Sequence, residues 1–252
     1  MASATTSRAA REGANNEGVL LGEAFQEWVD QGREGEEQTA QRRRAAELYR
    51  AMALPSRARH LWRYTDPMSF LPAALGHTAE RAPAAPGLGV EAPEGGALVR
   101  LVPGRAPSIQ ISPTAQGLEV LPLTAPGAAA DKIGGAVPPE HGFFEALNGA
   151  AWSGGVSVRL ARGVALKGPV HVILDAGADA SVSLPRVVVV AESGSELILI
   201  EEHVGGGELS GPVPGHSLEI SVTELFVGAN AQLRHVLLQN WRPGARGHVT
   251  TR

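Results

Sequence analysis

The residues best suited to chemistry form one short run, Glu201-Glu202-His203. Carboxylates and imidazole are the donor types that bind iron or zinc. In an extended strand, adjacent side chains point to opposite faces, so Glu201 and His203 share a side while Glu202 does not. Two ligands do not close a site, and spacing alone does not bring His216 or His235 to them. Glu201 and His203 therefore stand as weak metal candidates, and the expectation is that they are solvated side chains on a strand face. The second run is Trp62-Arg63-Tyr64-Thr65-Asp66. It reads either as a docking surface for a partner or as an intramolecular plug. In the plug, which is the expectation, the two rings pack and Asp66 caps a following turn. His60, His77, His141 and His171 belong to no constellation, and Asn148, Trp152 and Asn230 read as structural.

Several chemistries are missing from the chain. It has no cysteine, which removes disulfides, thiolate metal sites and Cys nucleophiles together. It has no Gly-x-Ser-x-Gly elbow and no Gly-x-x-x-x-Gly-Lys-[Ser/Thr] loop. No catalytic or cofactor-binding residue is assigned, so the chain is not expected to be an enzyme, and any ATP hydrolysis would come from a partner. A formal net charge of −4 argues against a nucleic-acid partner. No apolar run approaches the roughly 20 residues of a membrane span. Met1–Gly18 lacks the apolar stretch of a secretory signal, so a cytoplasmic protein without membrane contact is expected.

The elements that must position these residues fall into four stretches. Residues 1–17 read as a flexible tail. Residues 18–75 read as a helical N-terminal domain. It has Leu20, Leu21, Ala24, Phe25 and Trp28 at helical spacing, then a helix from Glu36 to Met52 with acids at its start, ended by Pro55. Residues 76–140 are a Pro/Gly-rich connecting region with edge strands at Ala97–Val102, Ser108–Ile111 and Leu118–Leu121. Residues 141–252 open with a short helix from Gly142 to Ala151. Aliphatic runs follow at Val156–Leu160, Pro169–Leu174, Ala180–Ala191, Glu196–Val204, Ser217–Val227 and Ala231–Gln239, separated by turn residues. Leu218–Thr223 alternates apolar and polar, as a strand with one wet face does. No helices lie between these runs, so a wound α/β sheet is not expected. Antiparallel sandwich and parallel β-helix both remain open on this pattern.

Three stretches together resemble the SufB/SufD family of iron–sulfur cluster assembly proteins. They are Leu54-Pro55-Ser56-Arg57 running into Trp62-Arg63-Tyr64-Thr65-Asp66; Phe143–Asn148 through Trp152 to Gly155-Val156; and Pro185-Arg186 through Glu201-Glu202-His203 to Asn230-Ala231-Gln232-Leu233-Arg234-His235. The lack of cysteine makes the SufD branch the better fit. The resemblance implies a mainly β fold, a small helical N-terminal domain followed by a right-handed parallel β-helix. It implies a non-catalytic scaffold working with SufB-like and SufC-like partners, without an intrinsic cofactor. An Fe–S cluster would be met only through the assembled complex. Members of the family are longer, so the expectation is a β-helix cut within its stack, with Trp241–Gly244 as a partial cap and self-association through the open end. A self-assembling β-solenoid is the alternative reading.

Overall fold

A computed structural model describes residues 35–58, 60–71, 91–177, 181–205 and 217–252. The apolar stripe from Leu20 to Trp28 lies outside these residues, as do His77 and His216. Among the described residues the protein is mainly β, with two α-helices and two mixed sheets. No described helix is long and apolar enough to cross a membrane.

Helix α1, Glu36–Ala51, carries Glu36 and Glu37 in its first turn and Arg50 in its last, charges that complement the helix dipole. Its buried residues Arg42, Ala45, Ala46 and Tyr49 recur at one-turn intervals and form a single face. That face packs on helix α2, Phe143–Ala151, which is buried almost throughout. The approach is close: a Cβ on Gly149 would lie 3.1 Å from the Ala45 Cβ. Arg42 is buried with them. Its guanidinium lies 4.0 Å from the Trp152 ring centroid and donates to the Ala150 and Trp152 carbonyls at the end of α2. A cation there satisfies acceptors that a helix end leaves open.

The strands are β1 Ala97–Leu101, β2 Ser108–Ile111, β3 Leu118–Pro122, β4 Gly155–Leu160, β5 Val170–Asp175, β6 Val182–Ser183, β7 Arg186–Ala191, β8 Glu196–Val204, β9 Ser217–Val227, β10 Gln232–Gln239 and β11 Ala245–Thr251. One sheet runs β10-β8-β5-β1-β2 and the other β11-β9-β7-β4-β3, with the short β6 beside β9. From β4 onward the main strands alternate between the two sheets. Each pairs in parallel with its predecessor in the same sheet: β5 with β8, β8 with β10, β4 with β7, β7 with β9, and β9 with β11. Among the described strands, antiparallel ladders are those at the far end, β1–β2 and β3–β4, and a single antiparallel bridge joins Ser153 to Leu184. These registers rule out an antiparallel sandwich for residues 155–252.

Parallel in-register stacking places like residues side by side. Val156, Val158 and Leu160 of β4 and Val187 and Val189 of β7 join Val170, Val172 and Leu174 of β5 and Leu197 and Leu199 of β8 in one core between the sheets. Each such side chain contributes about 1.5–3 kcal/mol on burial. A second core holds α1 and α2 against the outer face of β9 through Leu218 and Ile220.

Three features depart from the sequence reading. Strand β1 is no edge strand, since it lies between β2 and β5 with Ala97 and Val99 fully buried. Ala180–Ala191 is divided at Leu184-Pro185 into β6 and β7. Strand β11 was not anticipated, because Ala245–Thr251 has one large aliphatic residue, Val249, and its pairing with β9 forms it. Asn230 turns between β9 and β10 at φ 58, a left-handed conformation that asparagine tolerates.

Candidate functional site

Strand β8 buries alternate residues, and Leu197 and Leu199 face the core between the sheets. Alternation therefore carries Glu201 and His203 inward behind them, and both are fully buried. The expectation of solvated side chains on a strand face is wrong here. Strand β9 explains why. Its apolar residues Leu218 and Ile220 face the helices, so its polar residues Glu219, Ser221 and Thr223 turn the other way and are buried too. The face that the alternation marks as wet is an internal one.

The inward residues form a connected cluster. His203 Nδ1 lies 2.5 Å from Glu219 Oε1 and donates to it. His203 Nε2 lies 3.0 Å from Glu201 Oε1, but off the direction of a hydrogen bond, and neither atom has another hydrogen-bond partner. That attraction is coulombic. Glu201 Oε2 accepts from His235 Nε2 of β10 at 3.0 Å. The Trp241 indole N–H donates to Glu219 Oε2 at 3.3 Å, and its ring lies 5.3 Å from that of His203. Gly247 of β11 leaves room for the indole, since a Cβ there would come within 2.0 Å of the ring.

The electrostatics follow from this geometry. Burial opposes charge on Glu201, but His203 and His235 outweigh it and hold the carboxyl at about 2. Burial also opposes charge on His203, and the Glu201 and Glu219 carboxylates outweigh it, raising the imidazole to about 9. Glu219 is pushed up, because its burial exceeds the help it receives from His203 and Trp241. At neutral pH the centre of the cluster is an imidazolium beside the Glu201 carboxylate. Among the described residues, no three His, Asp or Glu side chains are arranged to hold a metal ion. The two metal candidates, Glu201 and His203, are placed as an ion pair. Glu202 points to the other face, where it accepts from His171 at 2.9 Å and from Asn240 at 2.7 Å.

A second buried network was not read from the sequence. Arg186 Nε and Nη2 donate to Glu224 Oε1 at 3.0 and 2.7 Å, and Arg186 Nη1 donates to Asn148 Oδ1 at 3.0 Å. Glu224 also accepts from the backbone N–H groups of Gly134, Ala136 and Val137. Asn148 donates to the Pro185 and Ile220 carbonyls. The network is well satisfied and ties α2, β7, β9 and the 134–137 loop together. A usable signal was present: Arg186 opens an otherwise unbroken aliphatic strand, so it needs a partner of opposite charge at the same depth.

The run from Trp62 to Asp66 is divided. Trp62 is buried against Phe70, Phe144 and His248, with ring centroids 5.6, 5.1 and 5.5 Å away. Asp66 Oδ1 accepts from the Met68 N–H at 3.1 Å and caps the 3-10 turn Pro67–Phe70. Tyr64 is 86% exposed, so only one of the two expected rings packs. Arg63 and Thr65 are exposed as well. The plug reaches β11: Glu145 of α2 accepts from Thr250 at 2.7 Å and from His248 at 3.3 Å, and Arg246 donates to the Ser69 carbonyl.

Residues 172–252 match the family model described as "SUF system FeS cluster assembly, SufBD core domain". Over this stretch the chain is similar to the SufB/SufD family. Two similar curated proteins carry the name iron-sulfur cluster assembly SufBD family protein. The one from Staphylococcus saprophyticus is 27% identical over 116 residues, covering 46% of this chain and 24% of the relative. The one from Pyrococcus horikoshii is 29% identical over 106 residues, covering 40% and 23%. The matched stretch thus spans about a quarter of the length of these relatives. The core-domain match begins within β5 and takes in the cluster around His203 together with Arg186 and Glu224 of the second network, whose Asn148 and 134–137 loop precede it. The helices and strands β1–β4 precede it.

Proposed function

We propose that this chain is a non-catalytic scaffold subunit of the SUF iron–sulfur cluster assembly machinery, of the SufD branch, acting with SufB-like and SufC-like partners. The observation that carries the proposal is the SufBD core-domain match falling on the stacked parallel strands β5–β11. The strands wind between two sheets as one right-handed parallel β-helix, and the helical lobe anchors that stack. The buried charges have the role of fixing the coils, since each carboxylate of the inner cluster is engaged by a base or an N–H group. The scaffold holds no cofactor of its own, meets an Fe–S cluster only within the complex, and works in the cytoplasm.

The test is size-exclusion chromatography with light scattering on the chain alone and mixed with cognate SufB and SufC. A stable mixed complex is the expected result. No complex, with the chain alone eluting as a large species, would overturn the scaffold reading in favour of a self-stacking solenoid. That second reading is favoured by one observation: β10 and β11 are the outer strands of their sheets among the described residues, and Leu237 and Leu238 of β10 are 37% and 40% exposed.

A further inference from the structure

Helix α1, the 133–140 loop and α2 border a cleft of about 270 Å³. It is lined by Gln41 and Arg44 of α1, by Pro139 and Glu140 of the 3-10 turn Pro139–His141, by Gly149 of α2 and by Arg186 of β7. That room is several times the roughly 30 Å³ of one water molecule. It falls just below the roughly 300 Å³ at which sites for drug-sized ligands begin, so it suits a molecule of few heavy atoms.

Two buried polar groups on this cleft have no partner in the fold. Gln41 Oε1 is buried and accepts no hydrogen bond. Arg186 is 1% exposed. Its Nε and Nη2 donate to Glu224 Oε1, Nη2 donates also to the Val137 carbonyl, and Nη1 donates to Asn148 Oδ1. One N–H of Nη1 is left without an acceptor. A Cβ on Gly149 would stand 4.0 Å from Nη1, so glycine there leaves that side of the guanidinium uncovered. A buried acceptor and a buried donor without partners carry a cost that a bound molecule would remove. Arg44 Nη2 pairs with Glu140 Oε1 at 2.5 Å, and their side chains are 71% and 42% exposed. An exposed pair is weak, so a ligand can take over both of its partners.

The charges select the ligand. Arg186 is countered by Glu224 and Arg44 by Glu140, so the lining carries both signs in balance. We propose that this cleft binds a free α-amino acid with a small aliphatic side chain. The carboxylate lies on Arg44 and Arg186 Nη1, the ammonium on Gln41 Oε1 and Glu140, and the side chain against Ala45 and Pro139. A monocarboxylate would leave Gln41 Oε1 without a donor, and an amine would leave Arg186 Nη1 without an acceptor. A zwitterion answers both from one small molecule. The site is separate from the His203 cluster and does not rest on the assembly role.

The test is a ligand-observed NMR titration of the full chain with L-valine, with isovalerate, which lacks the ammonium, and with valinamide, which lacks the carboxylate. Saturable binding of L-valine is expected, with a dissociation constant on the order of 0.1–1 mM, and both analogues are expected to bind about tenfold more weakly. Gln41→Leu removes the unpartnered acceptor, and Arg44→Gln removes an exposed charge. Each is expected to weaken L-valine about tenfold while the urea midpoint without ligand shows that the variant is folded. Should Gln41→Leu fail to fold, Arg44→Gln, on an exposed side chain, decides alone. No saturable binding of L-valine, or L-valine binding unaltered in either folded variant, would overturn the proposal. Isovalerate binding as tightly as L-valine would overturn it in favour of a monocarboxylate site, and valinamide doing so would overturn it in favour of a cation site.

Discussion

His203 sits between two buried carboxylates, and that position sets a pH dependence with two limbs. Glu201 and Glu145 both fall to about 2 in the fold from an ordinary 4.5. For Glu145, burial is again opposed, here by His248 and Thr250. A depressed carboxyl stabilises the fold above its unfolded value, and that contribution is lost as pH falls from about 4.5 toward 2. His203, raised from 6.5 to about 9, contributes fully below 6.5, and its contribution disappears as pH rises through 9. Glu219 is raised, so it works against stability once pH exceeds its ordinary value, and it adds to the decline on the alkaline side. The urea midpoint is expected to be highest near pH 5–6.5 and to decline on both sides; a midpoint still rising between pH 7 and 9 would refute the imidazolium assignment. Glu201→Gln leaves a buried imidazolium with one carboxylate fewer and is expected to cost about 3–5 kcal/mol, read from urea unfolding at neutral pH. Arg186→Met should cost a similar amount by stranding Glu224. Adding Glu224→Gln should cost much less than the sum of the single changes, which a double-mutant cycle would measure.

At the scale of elements, the helical lobe and β11 hold each other. Trp62 is the hub, with rings from the 3-10 turn, α2 and β11 around it. Trp62→Ala is expected to destabilise the lobe by about 3–5 kcal/mol, with the loss of protection in hydrogen exchange reaching β11 as well as the helices. Protection unchanged in β11 would mean that the lobe folds separately from the strands. Gly247 of β11 lies against Trp241, where a Cβ would overlap the indole ring. Gly247→Ala must push the indole away from Glu219, so a shift in tryptophan emission and a lower urea midpoint are expected together. An unshifted spectrum would show that the indole does not rest on Gly247.

For the whole molecule, the parallel stack shares its apolar core among successive strands, so stability is distributed along the axis of the stack. Strands β10 and β11 keep unpaired edges among the described residues. Light scattering of the chain alone across a concentration series is the measurement there, and association that Leu238→Lys on β10 abolishes would locate the contact at that edge.

The sequence by itself determined the elements with strong local patterns. Helix α1 follows from its charge asymmetry and one apolar face, α2 from its small and aromatic residues, and most strands from aliphatic runs broken by turn residues. It also placed Glu201 and His203 on one side of a strand, because a period of two is a property of the backbone. It did not say which side. Period-two alternation is the same whether the polar face meets water or the inside of the stack, and only β9, with Leu218 and Ile220 taken by the helices, decided that Glu219 turns inward to His203. The parallel register was likewise beyond local pattern, since β-branched runs read alike in either direction. Strand β11 exists because β9 offers it a partner, and Arg186 finds Glu224 across 38 residues of sequence because neighbouring parallel strands bring them to one depth. Those pairings are non-local, and only the tertiary structure supplies them.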